Sequence, residues 1–481
     1  MAALSPARRV ALMLVSKRRR RNARIRELAR DDRVLQELSA PDRALAFRLA
    51  LGTTSAEEAL GSMLDQRIRR PSSLEPRVRD ALLLACFEIC YLDTPAAVAA
   101  SQGVELVRSV APRAAGLANA VLRRMVTEVR PQVAAARERT QAGLAEVDDL
   151  VLVSGLPLWL MQSLLEDRGQ RFASEYCLAQ MDPAPVFVAA NGLRYDAASL
   201  ERMLEEAGLQ PVVVEGMAGS FALKSARPDV LAGMLEQADL VVADVSAQMV
   251  CRLSAPREPS PLLEIGQGRG TKSILLATAL GAVRPTEVCG IDSVGYKVAL
   301  SARRMRHAGL GDIVSCHKLD ARTLSSHNAP AWLAKTYETV MVDAPCSGTG
   351  TIRRHPEIAS SLTSEDVTSL ASLQLEILKA ASARVAPAGV LVYSTCSVLR
   401  EEDEQVVQEF LASDEGRAFC VAKVDEAPAC AENDVLLQMA CSQQTSDGFF
   451  LSAPSLHGAD GHFCARLIRR AWARGQTEYQ A

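Results

Sequence analysis

From about residue 260 the chain alternates short apolar runs with amphipathic stretches, and no other feature restricts its fold as much. The runs PLLEIG, VCGID, DIVSCHKLD, ETVMVDAP and GVLVYSTC read as strands, and segments such as TKSILLATALG and YKVALSARRMRHAGL lie between them with helical spacing. Strands alternating with helices predict an α/β domain. Its sheet is expected to be doubly wound, mostly parallel and Rossmann-like, with ligands bound beyond the carboxyl ends of the strands.

The first of these strands runs into Glu264-Ile-Gly266-Gln-Gly268-Arg-Gly270-Thr-Lys272. Glycines allow a tight turn and close approach to a ligand, and the following helix presents free N–H groups. Nicotinamide, flavin and S-adenosylmethionine folds all use such a turn, so it does not choose among them. The second strand ends at Asp292, placed to accept from ribose hydroxyls, and the third at Asp320, placed to receive an adenine amino group. With Glu264, three successive strands carry an acid at or near their ends, which favours an adenosine-bearing cofactor.

Two further strands end in cysteine. ETVMVD leads into Asp343-Ala344-Pro345-Cys346-Ser347-Gly348, and GVLVYS into Thr395-Cys396-Ser397, so two thiols emerge at one sheet edge. Carbon 5 of a pyrimidine is not nucleophilic until something adds to carbon 6, and a thiolate both adds and leaves readily. After methyl transfer the carbon-5 proton must go and the sulfur must be expelled, a step that a second thiol assists. Asp343 is placed to stabilise charge developing around N3 and O2. The twelve cysteines form no C-x-x-C pair. No metal is therefore expected, and the remaining thiols read as reduced and packed.

Residues 1–130 read as helical throughout. Apolar positions recur at three and four in RALAFRLALGTTSAEEALGSML, VRDALLLACFEICYL and AAGLANAVLRRMV, while Pro41, Pro71, Pro95 and Pro112 fall between segments, giving about five to seven helices. A helical connector follows over 131–183. Over 184–245 the order strand, helix, strand, strand, helix, strand predicts a small α+β, RNA-recognition-like domain, although no aromatic pair stands on its strands for base stacking. With an α/β domain over 246–475, the 481 residues form a multidomain chain.

The formal charge of −3 is unevenly spread: residues 1–130 hold 23 Lys/Arg against 14 Asp/Glu (+9), and the rest 31 against 43 (−12). A basic third on an acidic body points to a polyanionic partner. Lys17-Arg18-Arg19-Arg20-Arg21 is the densest cationic run, and Arg353, Arg354 and His355, next to the P-C loop, are further candidates for substrate phosphates. No run of about 18 uncharged apolar residues occurs, and the N-terminal basic block follows rather than precedes its apolar stretch. A cytoplasmic protein without a membrane partner is expected.

The segments DAPCSGTGTIRRHPEI (343–358), LASLQLEILKAASARVAPAGVLVYSTCSVLREEDEQVV (370–407) and HGADGHFCARL (457–467) resemble the RNA cytosine carbon-5 methyltransferases, within them the bacterial small-subunit ribosomal RNA methyltransferase B branch. ADVSAQMV (243–250) is similar to the entry of that catalytic domain, and GLANAVLRRM (116–125) to the last helix of its NusB-like domain. The resemblance implies an all-α NusB-like RNA-binding domain over 1–130 and a class I methyltransferase domain using S-adenosylmethionine. It implies action on carbon 5 of cytosine in 16S rRNA, by a monomer. It makes Cys396 the attacking thiol and Cys346 the release thiol; the opposite assignment, that of DNA cytosine methyltransferases with a P-C motif, is the rival. Glu264, Gly266, Gly268, Gly270, Lys272, Asp292, Asp320, Asp343 and Pro345 are the implied cofactor contacts.

There are departures from the family pattern. Its Asp-x-Cys-Ala-x-Pro-Gly-Gly-Lys-Thr-like loop has Glu264 for the acid, Arg269 for proline and Thr271 for a glycine here; its Arg-Val-Asn is Ala189-Ala190-Asn191; and its Asp-Gly-Phe-Phe is Asp460-Gly461-His462-Phe463. The core motifs do not encode the RNA. A transfer-RNA methyltransferase of the same chemistry and a catalytically weak RNA-binding factor related to antitermination proteins are the alternatives.

Overall fold

The computed structural model describes residues 3–471 except 31, 226, 327, 328 and 432, so the end of the expected 246–475 domain lies outside the described residues. Two compact units are present. One holds the chain up to Pro183 together with Ile352–Leu362; the other begins at Ala184 and holds the remainder.

The first unit is helical. Prolines open its elements: Pro6 and Pro76 begin helices Pro6–Arg21 and Pro76–Tyr91, Pro41 lies in the first turn of Ala40–Ser55, and Pro95 precedes Ala96–Val110. A first-turn proline gives up only an N–H that the helix would leave unpaired. Eight α-helices precede residue 130 among the described residues, rather than five to seven. The additional ones are short, Ile25–Arg30 and Arg33–Gln36, and arise because Asn22 turns left-handed (φ 45°) and Asp32 caps a new start. Leu14, Leu49, Leu60, Leu82, Phe87 and Leu122 are buried in one core. The connector packs as further helices of this unit, Arg130–Gln141, Val147–Ser154 and Leu158–Gln180.

The second unit opens with β1 (Val186–Ala190), β2 (Pro211–Val213), β3 (Ser220–Leu223) and β4 (Leu240–Val242), with helices Ala197–Glu206 and Pro228–Gln237 between them. The strand order is β2-β3-β1-β4, every pair antiparallel. Val188, Phe221 and Leu223 pack with Leu200, Leu204 and Leu231 of the helices, whereas Phe187, Ala189 and Val241 pack with Val245, Met249, Leu275 and Ala277 further along the chain. Both sheet faces are thus engaged. The two aromatic side chains on these strands, Phe187 and Phe221, are each 1% exposed, so neither is available to stack on a base.

The remaining strands are β5 (Pro261–Ile265), β6 (Glu287–Asp292), β7 (Val314–Lys318), β8 (Tyr337–Asp343), β9 (Val385–Thr395), β10 (Phe419–Ala422), β11 (Phe450–Leu451) and β12 (Phe463–Arg469). They form one sheet in the order β10-β12-β9-β8-β5-β6-β7, with β11 paired to β12. β5 to β9 run parallel, and β12 is antiparallel to both β9 and β10. The order reverses between β5 and β8, which places a crevice beyond their carboxyl ends.

Candidate catalytic and cofactor site

After β5 the chain turns through Gly266, Gly268 and Gly270, at φ of 81°, 57° and 75°. A Cβ on Gly266 would stand 2.1 Å from the Asp343 carbonyl oxygen, so the loop crosses the end of β8 at a distance only glycine permits. The Gly268 N–H donates to Asp292 Oδ2 (2.9 Å) and the Val294 N–H to Oδ1 (2.8 Å). These bonds aim the carboxylate at the end of β6 and leave lone pairs on both oxygens for a ribose diol. Beyond β7, Asp320 is gripped by the Arg322 guanidinium (Nη2 to Oδ2 2.7 Å), which holds its carboxyl below the usual range. A backbone cradle that a Cβ would fill, followed by an oriented acid and a second, solvent-facing one, fits an adenosine-bearing cofactor.

Glu264 has a different place from the one expected. Its side chain is 0% exposed, accepts from Ser273 Oγ (2.5 Å), and is pushed up to about 8 by burial. The carboxyl therefore lies behind the loop and braces the start of helix Thr271–Thr278 instead of facing a ligand. Gln267 is its neighbour in this role: it donates to Ser273 Oγ (3.0 Å) and fills the space over Gly290, where a Cβ would meet its Nε2 at 2.0 Å. Arg304 donates to the Arg269 carbonyl (2.5 Å) and to Thr271 Oγ1 (3.2 Å), so two of the three residues that depart from the family loop share one cation. Sequence reasoning missed Gln267, Ser273 and Arg304, whose partners are set by packing.

Lys272 places Nζ 2.7 Å from Asp343 Oδ2. Burial alone would lower its pKa, but the Asp343 charge outweighs burial and keeps the ammonium protonated. Asp343 ends β8 beside Ser394 of β9, so the loops that follow carry both thiols outward from adjacent strands. Cys346 Sγ and Cys396 Sγ are 3.3 Å apart, and the Cys396 N–H is 3.3 Å from Cys346 Sγ. Both cysteines are partly exposed, whereas Ser347, Gly348, Thr349, Thr395 and Ser397 around them are buried. Their charges differ in surroundings: contact with Cys396, then burial, then the Glu402 carboxylate push the Cys346 thiol well up, while the Lys272 ammonium interacts with Cys396. Pro345 is exposed, and its carbonyl accepts from Gln374 Nε2 (2.9 Å).

A buried polar network backs the two loops. Ser347 donates to Glu402 through its N–H (2.7 Å) and its hydroxyl (2.5 Å), Gln374 Nε2 donates to Glu402 (3.0 Å), and Thr395 Oγ1 donates to Asp403 (2.6 Å). Thr349 and Ser397 hydroxyls are paired at 3.1 Å. Sequence reasoning missed Gln374, Glu402 and Asp403; the three consecutive acids Glu402 to Glu404 have the composition of a solvated turn, yet all are buried.

The expected RNA-contacting residues all lie in the helical unit. Lys17, Arg18 and Arg19 are ion-paired there, to Asp32 (2.7 Å), Glu57 (2.6 Å) and Asp80 respectively. Arg20 donates to the Ser16 carbonyl (3.2 Å) of its own helix. Arg353, Arg354 and His355 belong to the segment Ile352–Leu362, which this unit holds through Glu357, the acceptor of the Ile25 N–H (2.7 Å), and through the Arg354 carbonyl, which accepts from Arg26 (3.3 Å). Among the described residues no group of three or more His, Cys, Asp or Glu is arranged to hold a metal, and no single helix is long and apolar enough to cross a membrane.

The strand order, the glycine loop crossing β8 and the acid at the end of β6 define a class I methyltransferase. Residues 253–456 match the family of 16S rRNA methyltransferases RsmB/F and residues 5–127 match the NusB family, so the chain carries an RsmB/F methyltransferase domain preceded by a NusB domain. It is an RNA methyltransferase, and its cofactor is S-adenosylmethionine. It is 28% identical over 446 residues to the ribosomal RNA small subunit methyltransferase B of Pseudomonas putida, covering 92% of this chain and 94% of the relative. To the protein of that name from Xanthomonas campestris it is 29% identical over 374 residues, covering 77% and 79%. In fold it is similar to the crystal structure of PH0851 (TM-score 0.71, 17% identity, 97% and 99% covered). It is also similar to a methyltransferase homologue from Pyrococcus horikoshii (TM-score 0.52, 19% identity, 67% and 98% covered).

Proposed function

We propose that the chain methylates carbon 5 of a cytosine in small-subunit ribosomal RNA, with Cys396 adding to carbon 6 and Cys346 serving product release. The observation that carries this is the 3.3 Å separation of two partly exposed thiols at the edge where Lys272, Asp343 and the glycine loop also converge. When bound, S-adenosylmethionine supplies an electrophilic methyl group. Cys396 attacks as the thiolate, and its addition to carbon 6 raises electron density at carbon 5. The Lys272–Asp343 pair offers charge and hydrogen bonding to N3 and O2 as negative charge develops there. On release the carbon-5 proton passes to water as the bond between carbon 6 and Cys396 breaks, and Cys346, 3.3 Å away, gives its thiol proton to the departing thiolate and regains one from solvent. Gly266, Gly268, Gly270, Asp292 and Asp320 are assigned to the cofactor, with Pro345 at the rim. Arg20, Arg21, Arg353, Arg354 and His355 are assigned to RNA phosphates, Lys17, Arg18 and Arg19 being shared with acids. The names of the two relatives favour 16S rRNA as the substrate.

Incubation of the purified protein with tritiated methyl donor and unmethylated small-subunit RNA tests this reading. Wild type incorporates label into cytosine, Cys396→Ala does not, and Cys346→Ala leaves an RNA–protein adduct that survives denaturation. Absence of incorporation, or incorporation indifferent to Cys396→Ala, overturns the reading; an adduct in Cys396→Ala instead reverses the two thiol roles.

A further inference from the structure

Two adjacent acids follow the T-C-S loop, and neither reaches solvent: Glu402 and Asp403 are each 0% exposed. They serve different loops. Glu402 takes both donors of Ser347, the residue after Cys346, while Asp403 takes the hydroxyl of Thr395, the residue before Cys396. Gln374 ties Glu402 to the Pro345 carbonyl on the other side of Cys346, and is itself held by the Tyr393 hydroxyl (3.0 Å). A core can be closed with apolar side chains at no loss of stability, so a buried carboxylate met by three neutral donors is poorly explained by stability alone.

We propose that Glu402 and Asp403 are positioning residues that together set the spacing of the two thiols, Glu402 fixing Cys346 for release and Asp403 fixing Cys396 for attack. This rests on the thiol roles assigned above. A displacement of about 1 Å in a reacting group costs on the order of 100-fold in rate, which is the sensitivity such a device exploits. The groups facing Cys346 are Cys396, Glu402 and Tyr393, and the Glu402 charge is among the causes that keep its thiol protonated.

The test uses the full-length protein with Glu402→Gln, which keeps the shape but removes the charge and turns one acceptor into a donor. First-turnover methyl transfer is expected within about 3-fold of wild type, while steady-state turnover falls about 10- to 100-fold and a denaturation-resistant RNA adduct accumulates. The pH profile of product release shifts downward, because Cys346 loses a neighbouring negative charge. Asp403→Asn is expected to show the opposite split, a slowed first turnover without adduct. Equal loss in both steps with an unmoved pH profile, or no loss in either, overturns the proposal. Should Glu402→Gln not fold, Ser347→Ala removes one of the three donors to the same carboxylate, and a few-fold accumulation of adduct is expected; its absence is equally fatal. If instead Cys346→Ala itself forms no adduct, it is the thiol assignment that fails, not the clamp.

Discussion

The carboxyl of Glu264 is enclosed between β5 and helix Thr271–Thr278, and that enclosure sets its protonation. Its pKa rises from 4.5 to about 8, so the folded protein keeps a proton that the unfolded chain releases in this range. The associated stability is fully present below about pH 4.5, declines as pH climbs towards 8, and changes no further above it. Glu264→Gln preserves the shape and the Ser273 contact but cannot ionise. Its melting temperature is expected to gain on wild type steadily from pH 4.5 to 8, and thermal melts at several pH values across that window check this; parallel curves would contradict it. In the sequence Glu264 is simply an acid near the end of a strand. Whether such an acid faces a ligand or the core turns on which sheet face its side chain takes, and a one-residue step exchanges the faces.

At the level of elements, helices Pro6–Arg21 and Pro76–Tyr91 are joined by an ion pair between Arg8 and Glu88, 8% and 1% exposed. In the sequence Arg8 is merely an interruption of an apolar stretch, because its partner lies 80 residues away. Arg8→Ala leaves a carboxylate buried without its counterion and is expected to cost about 3–5 kcal/mol. Arg124→Ala, which removes an exposed partner of Glu128 on a neighbouring turn, is expected to leave stability near wild type. Urea midpoints of the two variants make the comparison. The helices themselves were legible, since prolines mark their starts and apolar residues recur every three or four positions. The break of 22–39 into two short helices was not, because it depends on a left-handed Asn22 and an Asp32 cap rather than on periodicity.

For the molecule as a whole, the excess positive charge of the first 130 residues does not all face outward. Lys17, Arg18 and Arg19 balance acids of their own unit, and on the proposed function Arg20, Arg21, Arg353, Arg354 and His355, with the neighbouring Arg24, are the groups expected to meet RNA phosphates. A variant combining Arg21→Ala with Arg24→Ala is expected to weaken RNA binding and to lower the slope of log affinity against log salt by about 1 for each phosphate it no longer neutralises. Lys17→Ala is expected to leave that slope unchanged. Binding isotherms at several salt concentrations distinguish the two, and an equal drop in slope for both would show that pairing does not withhold Lys17 from RNA.

Much of the candidate site could be read along the chain because its signals are local: alternation of strand and helix, a glycine turn after the first strand, acids at strand ends, and a cysteine after each of two strands. The spacing of those cysteines was beyond reach. Residues 346 and 396 meet at 3.3 Å because folding sets β8 beside β9 in parallel, a pairing that no period of 2 or 3.6 residues encodes. The same holds for the buried acids Glu264, Glu402 and Asp403, for the segment Ile352–Leu362 held by the helical unit, and for the covered second face of the small sheet. In each case the energy comes from groups far apart in the chain desolvating one another, and only packing in three dimensions selects which groups those are.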